Sequence, residues 1–450
     1  ANSAADTGFD VDNSCRFNPG DNPELSRSTG DGNEDVGSFS FWWKTAKAPG
    51  GAIFYSIYVD SSNFFTISVD GGGNFQVLNK LSGSYNMQFE STATFRDPSA
   101  WYNFVVLVDT TQAVEANRMK AYVNGTQITS WQTDTYPSQN TDMIMNSNSR
   151  TAYISQSGDR MHGYLAEFVL IDGTAKVVGD FGEYDEDSPT IWKPKDVSGL
   201  SGDKGVNGFY LDFEDSSALG NCAFGGTDFT VSNLAAADQA TDTPTNNFCT
   251  LNPLNKTDLT FSQGNCKLVC STTASAHRMY KATFGLTAGK WYWEVKPVHI
   301  GSNFGNLGII DDAGYDEDDY LGNETYGYSY RPDGKKYNAG SGTTYGDTWT
   351  DDDVIGVALN MDDDEIKFYK NGTVQNSDTA ISISATPTTY MPAGSMIKDS
   401  TNPDYEYNFG GCSAFAISSA ASDANGYGNF EYAPPSGFYA ICTKNLAEYG

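Results

Sequence analysis

The octapeptides MKAYVNGT, residues 119–126, and IKFYKNGT, residues 366–373, carry one pattern twice in the same chain. In both, side chains alternate along a short segment that runs into Asn-Gly. Such a segment is the strongest short-range signal for two antiparallel strands joined by a type I′ turn. We therefore predict a β-hairpin at each site, with Tyr122 and Tyr369 at equivalent positions of two related sheets.

The length and composition of the chain favour two large β domains. Its 450 residues are too many for one core and fit two or three domains of roughly 100–200 residues each. Short apolar stretches alternate with Gly, Asn, Asp and Ser turns along the whole sequence, and long runs of helix formers are scarce. This pattern is typical of all-β sandwiches or barrels.

The formal net charge of −30 arises from 57 acidic and 27 basic residues, and no Lys/Arg cluster forms a basic face. Nucleic acid is therefore not an expected partner. The acidity is compatible with solubility at high salt, with oxygen ligands for Ca²⁺, or simply with a solvated surface. No stretch of about 18 apolar residues occurs, so we predict no membrane insertion.

The start of the chain, ANSAADTGFD, lacks the basic and apolar regions of a secretory signal. It fits a native start after removal of an initiator Met, and equally a mature end left by signal cleavage.

Seven cysteines are an odd number, and their spacing matches neither a CxxC motif nor a zinc site. We expect mostly buried thiols, with a Cys266–Cys270 disulfide as the alternative, in a protein made in a reducing cytoplasm.

Three segments of the first half define its predicted strands: SFSFWWKT (38–45), WYNFVVLVDTT (101–111) and HGYLAEFVLIDGT (162–174). In the last, simple alternation puts Leu165 and Glu167 on one face, and Tyr164, Ala166 and Phe168 on the other. The order of these segments resembles the laminin-G-like branch of the concanavalin A-like lectin and glucanase fold. Gly163, Leu165 and Phe168 take the places of its closing strand motif, and the resemblance covers roughly residues 8–200.

The second half carries four ordered motifs that resemble the SPRY domain. Gly289 to Val295 match its G-x-x-Y-W-E-V signature, and Asp333, Gly334 and Tyr337 match its D-G-x-x-Y turn. Val354 to Val357 match its D-x-I-G-V strand, and Phe368 to Gly372 match its F-Y-x-N-G hairpin. The resemblance implies a second two-sheet sandwich of the same fold class. The expected architecture is thus two concanavalin A-like jelly-roll sandwiches in tandem, laminin-G-like and then SPRY-like.

We predict three segments along the chain. Residues 1–200 form the laminin-G-like sandwich, residues 201–246 an extra strand and a linker, and residues 247–450 the SPRY-like sandwich. The middle segment joins GVNGFYLDFEDSS, which has strand character, to the polar, Pro-containing AAADQATDTPTNN.

Catalytic residues are not predicted. Glucanases of this fold place carboxylates in an E-x-D-x-x-E spacing on one strand, and that spacing is missing from the sequence. Asp212 and Glu214 share a strand face but lack a third carboxylate. The three histidines lie in unrelated segments with no Ser or Cys elbow nearby, so a hydrolytic triad has no support.

Cofactors are not predicted either, apart from Ca²⁺ as a weak alternative. Some laminin-G-like domains hold Ca²⁺ with an Asp at the rim of the sandwich, and four aspartates at strand ends are candidates: Asp60, Asp70, Asp109 and Asp172. None of them belongs to a dedicated D-x-D-x-D-G loop.

Glycan or protein binding is the expected activity, because exposed aromatics stack on sugar rings while Asn and Asp side chains bind hydroxyls. Tyr326, Tyr328 and Tyr330 alternate along one strand face ahead of Arg331, with the sandwich core as the alternative location. Adjacent Trp42 and Trp43 must point in opposite directions, so one is core and the other a candidate for exposure. The resemblance to SPRY domains implies partner docking on edge loops, here residues 337–345, which begin with Tyr337, and residues 311–320.

The combination of both halves with segments such as GFDVDNSCRFN, CTLNPLN and SGFYAICTKNL resembles virion structural proteins of tailed phages, especially marine ones. That resemblance implies a protein of the virion surface, made in the host cytoplasm: a spike, tail fibre or appendage, or capsid decoration. Its expected partners are other virion proteins, host-surface glycans and further copies of itself in a homo-oligomer. The alternatives are a secreted or cell-surface bacterial lectin or adhesin and, third, a polysaccharide-degrading enzyme.

Overall fold

The computed structural model describes residues 8–47, 50–156, 158–254, 258–271, 276–301, 305–398 and 401–450. The chain divides into two compact units, with the division between Thr245 and Asn246. Of the segment 201–246 predicted as an extra strand and linker, residues 201–245 fall in the first unit and Asn246 in the second.

Short strands build the first unit, broken by Gly, Asn and Asp turns. They are β1 Ser14–Phe17, β2 Glu24–Ser28, β3 Val36–Thr45, β4 Ala52–Asp60, β5 Asn63–Val69, β6 Asn74–Leu81, β7 Ser84–Thr94, β8 Trp101–Asp109, β9 Met119–Val123, β10 Thr126–Gln127, β11 Trp131–Thr135, β12 Thr151–Ile154, β13 Gly163–Asp172, β14 Gly182–Tyr184, β15 Trp192–Pro194, β16 Phe209–Leu211, β17 Thr230–Ser232 and β18 Gln239–Ala240. Single 3-10 turns lie at Pro19–Asp21, Glu115–Asn117, Ile144–Asn146, Val178–Asp180, Ser198–Asp203 and Ala236–Asp238.

Two large antiparallel sheets form a sandwich in this unit. Sheet 1 has the order β10-β9-β8-β3-β13-β1-β18, with β16 beside β13, and sheet 2 has the order β11-β7-β6-β5-β4-β12-β2-β17. Their inner faces supply one aromatic core, in which Phe41 lies 4.6 Å from Phe54 and 5.7 Å from Phe104 between ring centroids. The predicted strands at 38–45 and 101–109 are confirmed as neighbours in sheet 1.

A β-bulge in β13 overturns the simple alternation expected along HGYLAEFVLIDGT. The register of β13 against β3 shifts between Ala166 and Val169, and Glu167 takes a left-handed φ of +51°. Leu165 and Phe168 consequently both pack in the core between the sheets. The prediction that Leu165 and Glu167 share a face is wrong, because the extra residue of a bulge reverses the side-chain pattern after it.

The last residues of the first unit return to its first strand. Strand β1 pairs with β18, and the Val11 amide donates to the Thr245 hydroxyl at 3.0 Å. Between them, the Asp242 carboxylate accepts from the Lys44 ammonium at 2.6 Å and from the Trp101 indole at 3.1 Å. Lys44 and Asp242 are each only 1% exposed, so this closure contains a buried ion pair.

The second unit has the same plan with different strand lengths. Its strands are β19 Leu259–Ser262, β20 Lys267–Cys270, β21 His277–Lys281, β22 Lys290–His299, β23 Asn306–Ile310, β24 Gly327–Tyr330, β25 Lys335–Asn338, β26 Ser341–Thr344, β27 Ile355–Asn360, β28 Glu365–Lys370, β29 Thr373–Val374, β30 Ile381–Ser382, β31 Met391–Ile397, β32 Asp404–Asn408 and β33 Tyr439–Ala440. A 3-10 turn lies at Asn376–Asp378, and helix α1 spans Thr443–Tyr449.

Sheet 3 has the order β19-β20-β32-β22-β27-β28-β29, with β30 beside β28 and β33 beside β22, and sheet 4 has the order β21-β31-β23-β24-β25-β26. Trp291, Trp293 and Tyr407 are among the fully buried side chains of the core between them. On β22, the buried Glu294 carboxylate accepts four hydrogen bonds, from the Tyr292 hydroxyl at 3.2 Å, the Asn408 amide at 3.1 Å, and the backbone N–H groups of Glu431 at 2.9 Å and Tyr432 at 2.8 Å. The Glu294 carboxylate thus fastens the backbone of Glu431 and Tyr432 to sheet 3 through hydrogen bonds.

The two repeated phrases form the predicted hairpins. Asn124 and Gly125 have φ of +45° and +75°, and Asn371 and Gly372 have +47° and +76°, as a type I′ turn requires. The two hairpins occupy equivalent places in their sheets. In sheet 1 the hairpin β9-β10 pairs with β8, which lies beside the tryptophan-containing strand β3. In sheet 3 the hairpin β28-β29 pairs with β27, which lies beside the tryptophan-containing strand β22.

An aromatic ring covers the turn glycine in both hairpins. A Cβ on Gly125 would meet the Trp192 ring at 2.3 Å, and one on Gly372 would meet the Tyr432 ring at 2.6 Å. Both positions therefore exclude a side chain for two reasons, the backbone conformation and the ring above it.

All seven cysteine side chains are buried. Cys270 ends the extended strand β20 and Cys266 directly precedes it, so the two Cα atoms are four residues apart, on the order of 13 Å along an extended chain and well beyond the Cα separation of a disulfide. A disulfide between them, the alternative left open by the sequence, does not fit this geometry. Among the residues that the structure describes, no helix is long and apolar enough to cross a membrane.

Candidate functional site

The tyrosine stripe, which comprises Tyr328 and Tyr330 of β24 and Tyr326 directly before it, faces the core of the second sandwich. Tyr330 is fully buried, 5.4 Å from Tyr345 and 5.3 Å from Phe368 between ring centroids. Tyr328 is 7% exposed, and Tyr326 is half-buried against the same core. The three do share one face, as predicted, but that face packs inward and leaves Tyr328 and Tyr330 unavailable for stacking on a ligand.

Arg331 and Tyr337 come together at the surface beyond that stripe. The Arg331 guanidinium lies 4.3 Å from the Tyr337 ring centroid and binds the Asp333 carboxylate at 2.6 Å. Tyr337 also lines a cavity of about 230 Å³ together with Lys336, Asn338 and neighbouring residues of β24, β26 and β30. This edge of sheet 4 is the part of the predicted partner surface that the structure assembles.

Trp43 and Trp42 are both buried, with exposures of 1% and 4%. Trp43 packs in the core, 5.1 Å from Phe54. The expectation that one of the pair is exposed is wrong, because the outer face of β3 is covered as well. Lys44, two residues from Trp42 on that outer face, is buried beneath Asp242.

The four aspartates proposed as Ca²⁺ ligands are separate and serve local structure. Oδ1 of Asp60, of Asp70 and of Asp109 each accepts the backbone N–H of the residue two positions later, the arrangement of an Asx turn. Asp172 is buried and accepts from the amides of Asn33, Asn146 and Asn207. Within the described ranges, no three His, Cys, Asp or Glu side chains gather as metal ligands.

The bulge in β13 supplies the third carboxylate that the sequence pattern lacked. Glu167 lies beside the start of the Asp212–Glu214 segment, because Phe168 pairs with Leu211. Its Oε2 accepts the Tyr210 hydroxyl at 2.6 Å, and the side chain is 6% exposed. Burial raises the pKa of the Glu167 carboxyl to about 8, and burial also raises the pKa of Asp212 and Glu214. Glu167 is thus a buried acid within the sheet rather than one open to a substrate.

We predict that Glu167→Gln removes a pH dependence from the first sandwich. A carboxyl with a pKa raised from 4.5 to about 8 stabilises the fold below pH 4.5, and this stability is lost as the pH rises through 8. The slope reaches about 1.4 kcal/mol per pH unit. The melting temperatures of wild type and variant should therefore diverge between pH 5.5 and pH 8.5, with the variant the more stable at high pH.

Glu183→Gln is the matched control, since the Glu183 side chain is 49% exposed. It should keep the wild-type slope. Parallel pH profiles of wild type and Glu167→Gln would contradict a neutral Glu167 in the folded protein.

The strongest site candidate is the outer face of sheet 2. Alternate residues of β4, β5, β6 and β7 face outward, and the register aligns them in three rows across the strands. We call these twelve residues the platform: Tyr58, Phe64, Lys80 and Tyr85 in the first row, Ser56, Thr66, Leu78 and Gln88 in the second, and Ile53, Ser68, Gln76 and Glu90 in the third.

The first row is an exposed aromatic edge. Tyr58 is 50% and Tyr85 40% exposed, whereas most aromatics of the chain are buried. The Phe64 ring lies 6.1 Å from each, stacked on Tyr58 and edge-on to Tyr85. The Lys80 ammonium lies 5.1 Å from the Tyr85 centroid and donates to the Ser61 carbonyl at 3.0 Å. Flat rings are thereby held in place and open to solvent.

The second and third rows supply polar groups beside the rings. Ser56 donates to Gln156 at 2.6 Å and Gln76 to Glu90 at 3.3 Å, which fixes both glutamine side chains. The Thr66 hydroxyl is buried and has no hydrogen-bond partner among the described residues. The members of these rows on β4, β5 and β6 line a groove of about 280 Å³, which Asp70, Gly71, Gln156 and Asp159 also line.

The sequence contained one signal for this site. In NFFTISV, Phe64, Thr66 and Ser68 alternate with the core residues Phe65, Ile67 and Val69. Of the residues predicted as functional, only Asp70 lies in the groove. Chemically, the platform can stack on a flat apolar surface and exchange hydrogen bonds with hydroxyl groups, and it has no nucleophile paired with a base.

Two family models match parts of the chain. Residues 21–175 match the model of the concanavalin A-like lectin/glucanases superfamily, and residues 290–408 match the SPRY domain. The fold is therefore a concanavalin A-like sandwich followed by a SPRY sandwich, as expected from the motifs. Domains of both kinds are typically binding modules rather than catalytic ones.

Individual relatives each cover about a third of this chain. The probable ATP-dependent RNA helicase ddx1 of Dictyostelium discoideum is 30% identical over 143 residues, which are 32% of this chain and 17% of that protein. Among similar solved structures is the SPRY domain of human HERC1, which is 17% identical with a TM-score of 0.31; the match covers 37% of this chain and 99% of that one. Another is stonustoxin, which is 20% identical with a TM-score of 0.30; the match covers 36% of this chain and 27% of that one.

Proposed function

We propose that this chain is a non-enzymatic binding protein of a virus particle surface, which contacts host glycans through the platform of its first sandwich. The observation that carries the proposal is the row of solvent-exposed rings beside ordered hydroxyl and amide groups. Sugar rings bind proteins in this way, with their apolar faces against aromatic rings and their hydroxyls hydrogen-bonded.

The virion placement is supported by the resemblance of the scattered signature segments to phage structural proteins. We propose a spike, tail appendage or capsid decoration that assembles with further copies of itself and with other virion proteins. The edge of sheet 4 around Arg331 and Tyr337 is the proposed contact surface for protein partners. Nucleic acid and membrane lipid are not among the proposed partners.

Labelling of purified particles with an antibody against this chain tests the placement by electron microscopy. Label at the tail would support a role in host recognition, and label spread over the head would make the protein a decoration. Particles without label would overturn the virion placement and favour a secreted or cell-surface lectin.

Glycan binding depends on the exposed rings of the platform. We expect Tyr58→Ala and Tyr85→Ala each to lower the affinity of the full chain for its glycan about 3- to 10-fold, as for the loss of one aromatic contact. Binding can be measured on a glycan array and then by calorimetry with the glycan identified.

Tyr184→Ala is the matched control, because Tyr184 is 43% exposed but lies on β14, away from the platform. Its affinity should equal that of wild type. Unchanged binding by both platform variants would place the glycan site elsewhere, and an array without any bound glycan would overturn the proposed function.

A further inference from the structure

We infer that the platform selects an uncharged, extended glycan that stacks across the strands along the row from Tyr58 to Tyr85 and reaches into the groove beside that row. This inference rests on the proposed glycan-binding role of the platform. It adds the charge class of the glycan, its direction on the sheet and the residues that recognise it.

The direction follows from the register. Tyr58, Phe64, Lys80 and Tyr85 stand side by side on four neighbouring strands. Neighbouring strands are about 4.8 Å apart, so the row extends roughly 14 Å across the sheet. That is the span of a short oligosaccharide, and the exposed rings at its two ends are positioned to stack on sugars that are not adjacent in the chain.

The charge class follows from the ionisable groups around the groove. Carboxylates stand at Glu90 in the third row and at Asp70 and Asp159 at the groove end. The single cation of the three rows is Lys80, whose ammonium already faces the Phe64 and Tyr85 rings and binds the Ser61 carbonyl. A uronate, sialate or sulfate group that enters the groove would thus face the carboxylates of Glu90, Asp70 and Asp159 and no arginine fork, and like charges at an interface are unfavourable.

The remaining polar groups suit sugar hydroxyls. Gln76 and Gln88 each offer an amide that both donates and accepts. Because Gln76 donates to Glu90 at 3.3 Å, its carbonyl oxygen is held in a fixed orientation. Neutral donors and acceptors of this kind recognise hydroxyls without requiring a charge on the ligand.

Calorimetric titration of the full chain tests the inference. The neutral probes are a soluble β-glucan and a mannan, and the charged probes are a polyuronate and a polysialic acid. We expect binding to a neutral polymer, with an affinity that changes less than about twofold between roughly 50 mM and 500 mM NaCl, because no ion pair forms. Gln76→Ala should lower this affinity about 3- to 10-fold.

Gln127→Ala is the control for the glutamine variant, since Gln127 is exposed on β10 of sheet 1. Binding of only the charged polymers, with affinity that falls as salt rises, would overturn the inference and leave glycan binding intact. Neutral binding that is insensitive to Gln76→Ala, but lost in Tyr58→Ala, would overturn the assigned recognition residues. A chain that binds none of the probes and nothing on an array would overturn the proposed function itself.

Discussion

Replacement of Asp242 with alanine is expected to lower the free energy of unfolding of the first sandwich by about 3–5 kcal/mol, the usual cost of removing one member of a buried ion pair. The variant leaves the Lys44 ammonium in the protein interior without the carboxylate that lies 2.6 Å from it. It also removes the acceptor of the Trp101 indole N–H. Both losses occur where the end of the unit closes against its beginning, so β1, β3 and β18 should open together.

Hydrogen exchange of the full chain, read by mass spectrometry, measures this effect locally. Asp203→Ala is the control, because the Lys176–Asp203 pair has the same 2.6 Å separation while the Asp203 side chain is 53% exposed. Exposed pairs contribute less than about 1 kcal/mol, so β3 should keep its protection in that variant. Equal losses of exchange protection in Asp242→Ala and Asp203→Ala would contradict the claim that burial makes the Lys44–Asp242 ion pair more important for stability than an exposed pair.

A neutral replacement separates charge from packing. Lys44→Met combined with Asp242→Asn removes both charges and keeps a carbonyl acceptor for Trp101. Since neither side chain then carries a charge, no lone ion is left buried, and this double variant should recover most of the stability lost in Asp242→Ala. A double variant as unstable as the single one would show that packing, rather than charge, is decisive.

Replacement of Glu294 with alanine is expected to lower the free energy of unfolding of the second sandwich by about 4 kcal/mol. The change removes the acceptor of four hydrogen bonds, two of them from the backbone N–H groups of Glu431 and Tyr432. A buried donor that loses its acceptor costs about 1–3 kcal/mol, and the water that can enter limits the sum. Protection from exchange should fall first at residues 430–432.

Glu294→Gln distinguishes the hydrogen bonds from the volume of the side chain. The amide keeps one acceptor oxygen and places a donor against N–H groups. We therefore expect the free energy of unfolding of Glu294→Gln to lie between those of wild type and Glu294→Ala. Glu365→Ala, at a half-exposed position of β28 in the same sandwich, should change stability by less than about 0.5 kcal/mol. A wild-type exchange pattern in Glu294→Ala would refute the fastening role of this carboxylate.

The sequence was sufficient for those parts of the fold that depend on local patterns. An Asn-Gly turn needs only two left-handed residues, and both hairpins form as predicted at Asn124 and Asn371. The strand at 38–45 shows its core face by alternation of Phe39 and Phe41 with serine. Because the motifs occur in the order typical of each family, the tandem of two sandwiches was predictable as well.

Apart from the alternation in NFFTISV, the candidate site depends on features that no local pattern contains. Alternation shows that Tyr326, Tyr328 and Tyr330 share a face, but it cannot show which face is the core. The platform arises from the register of four strands, so Tyr58 and Tyr85 become members of one row only after folding. The bulge at Glu167 likewise depends on pairing with β3, and it changes the face of every later residue of the strand.

The pairing of β1 with β18 sets an order of events during synthesis. Strand β1 is synthesised well before its edge partner β18, which is made about 225 residues later in the chain. At translation rates of about 5–20 residues per second, β1 waits roughly 10–50 s with an unpaired edge. An edge strand left open for that long is a site for wrong pairing between nascent chains, so slow synthesis or crowded polysomes should lower the yield of folded protein.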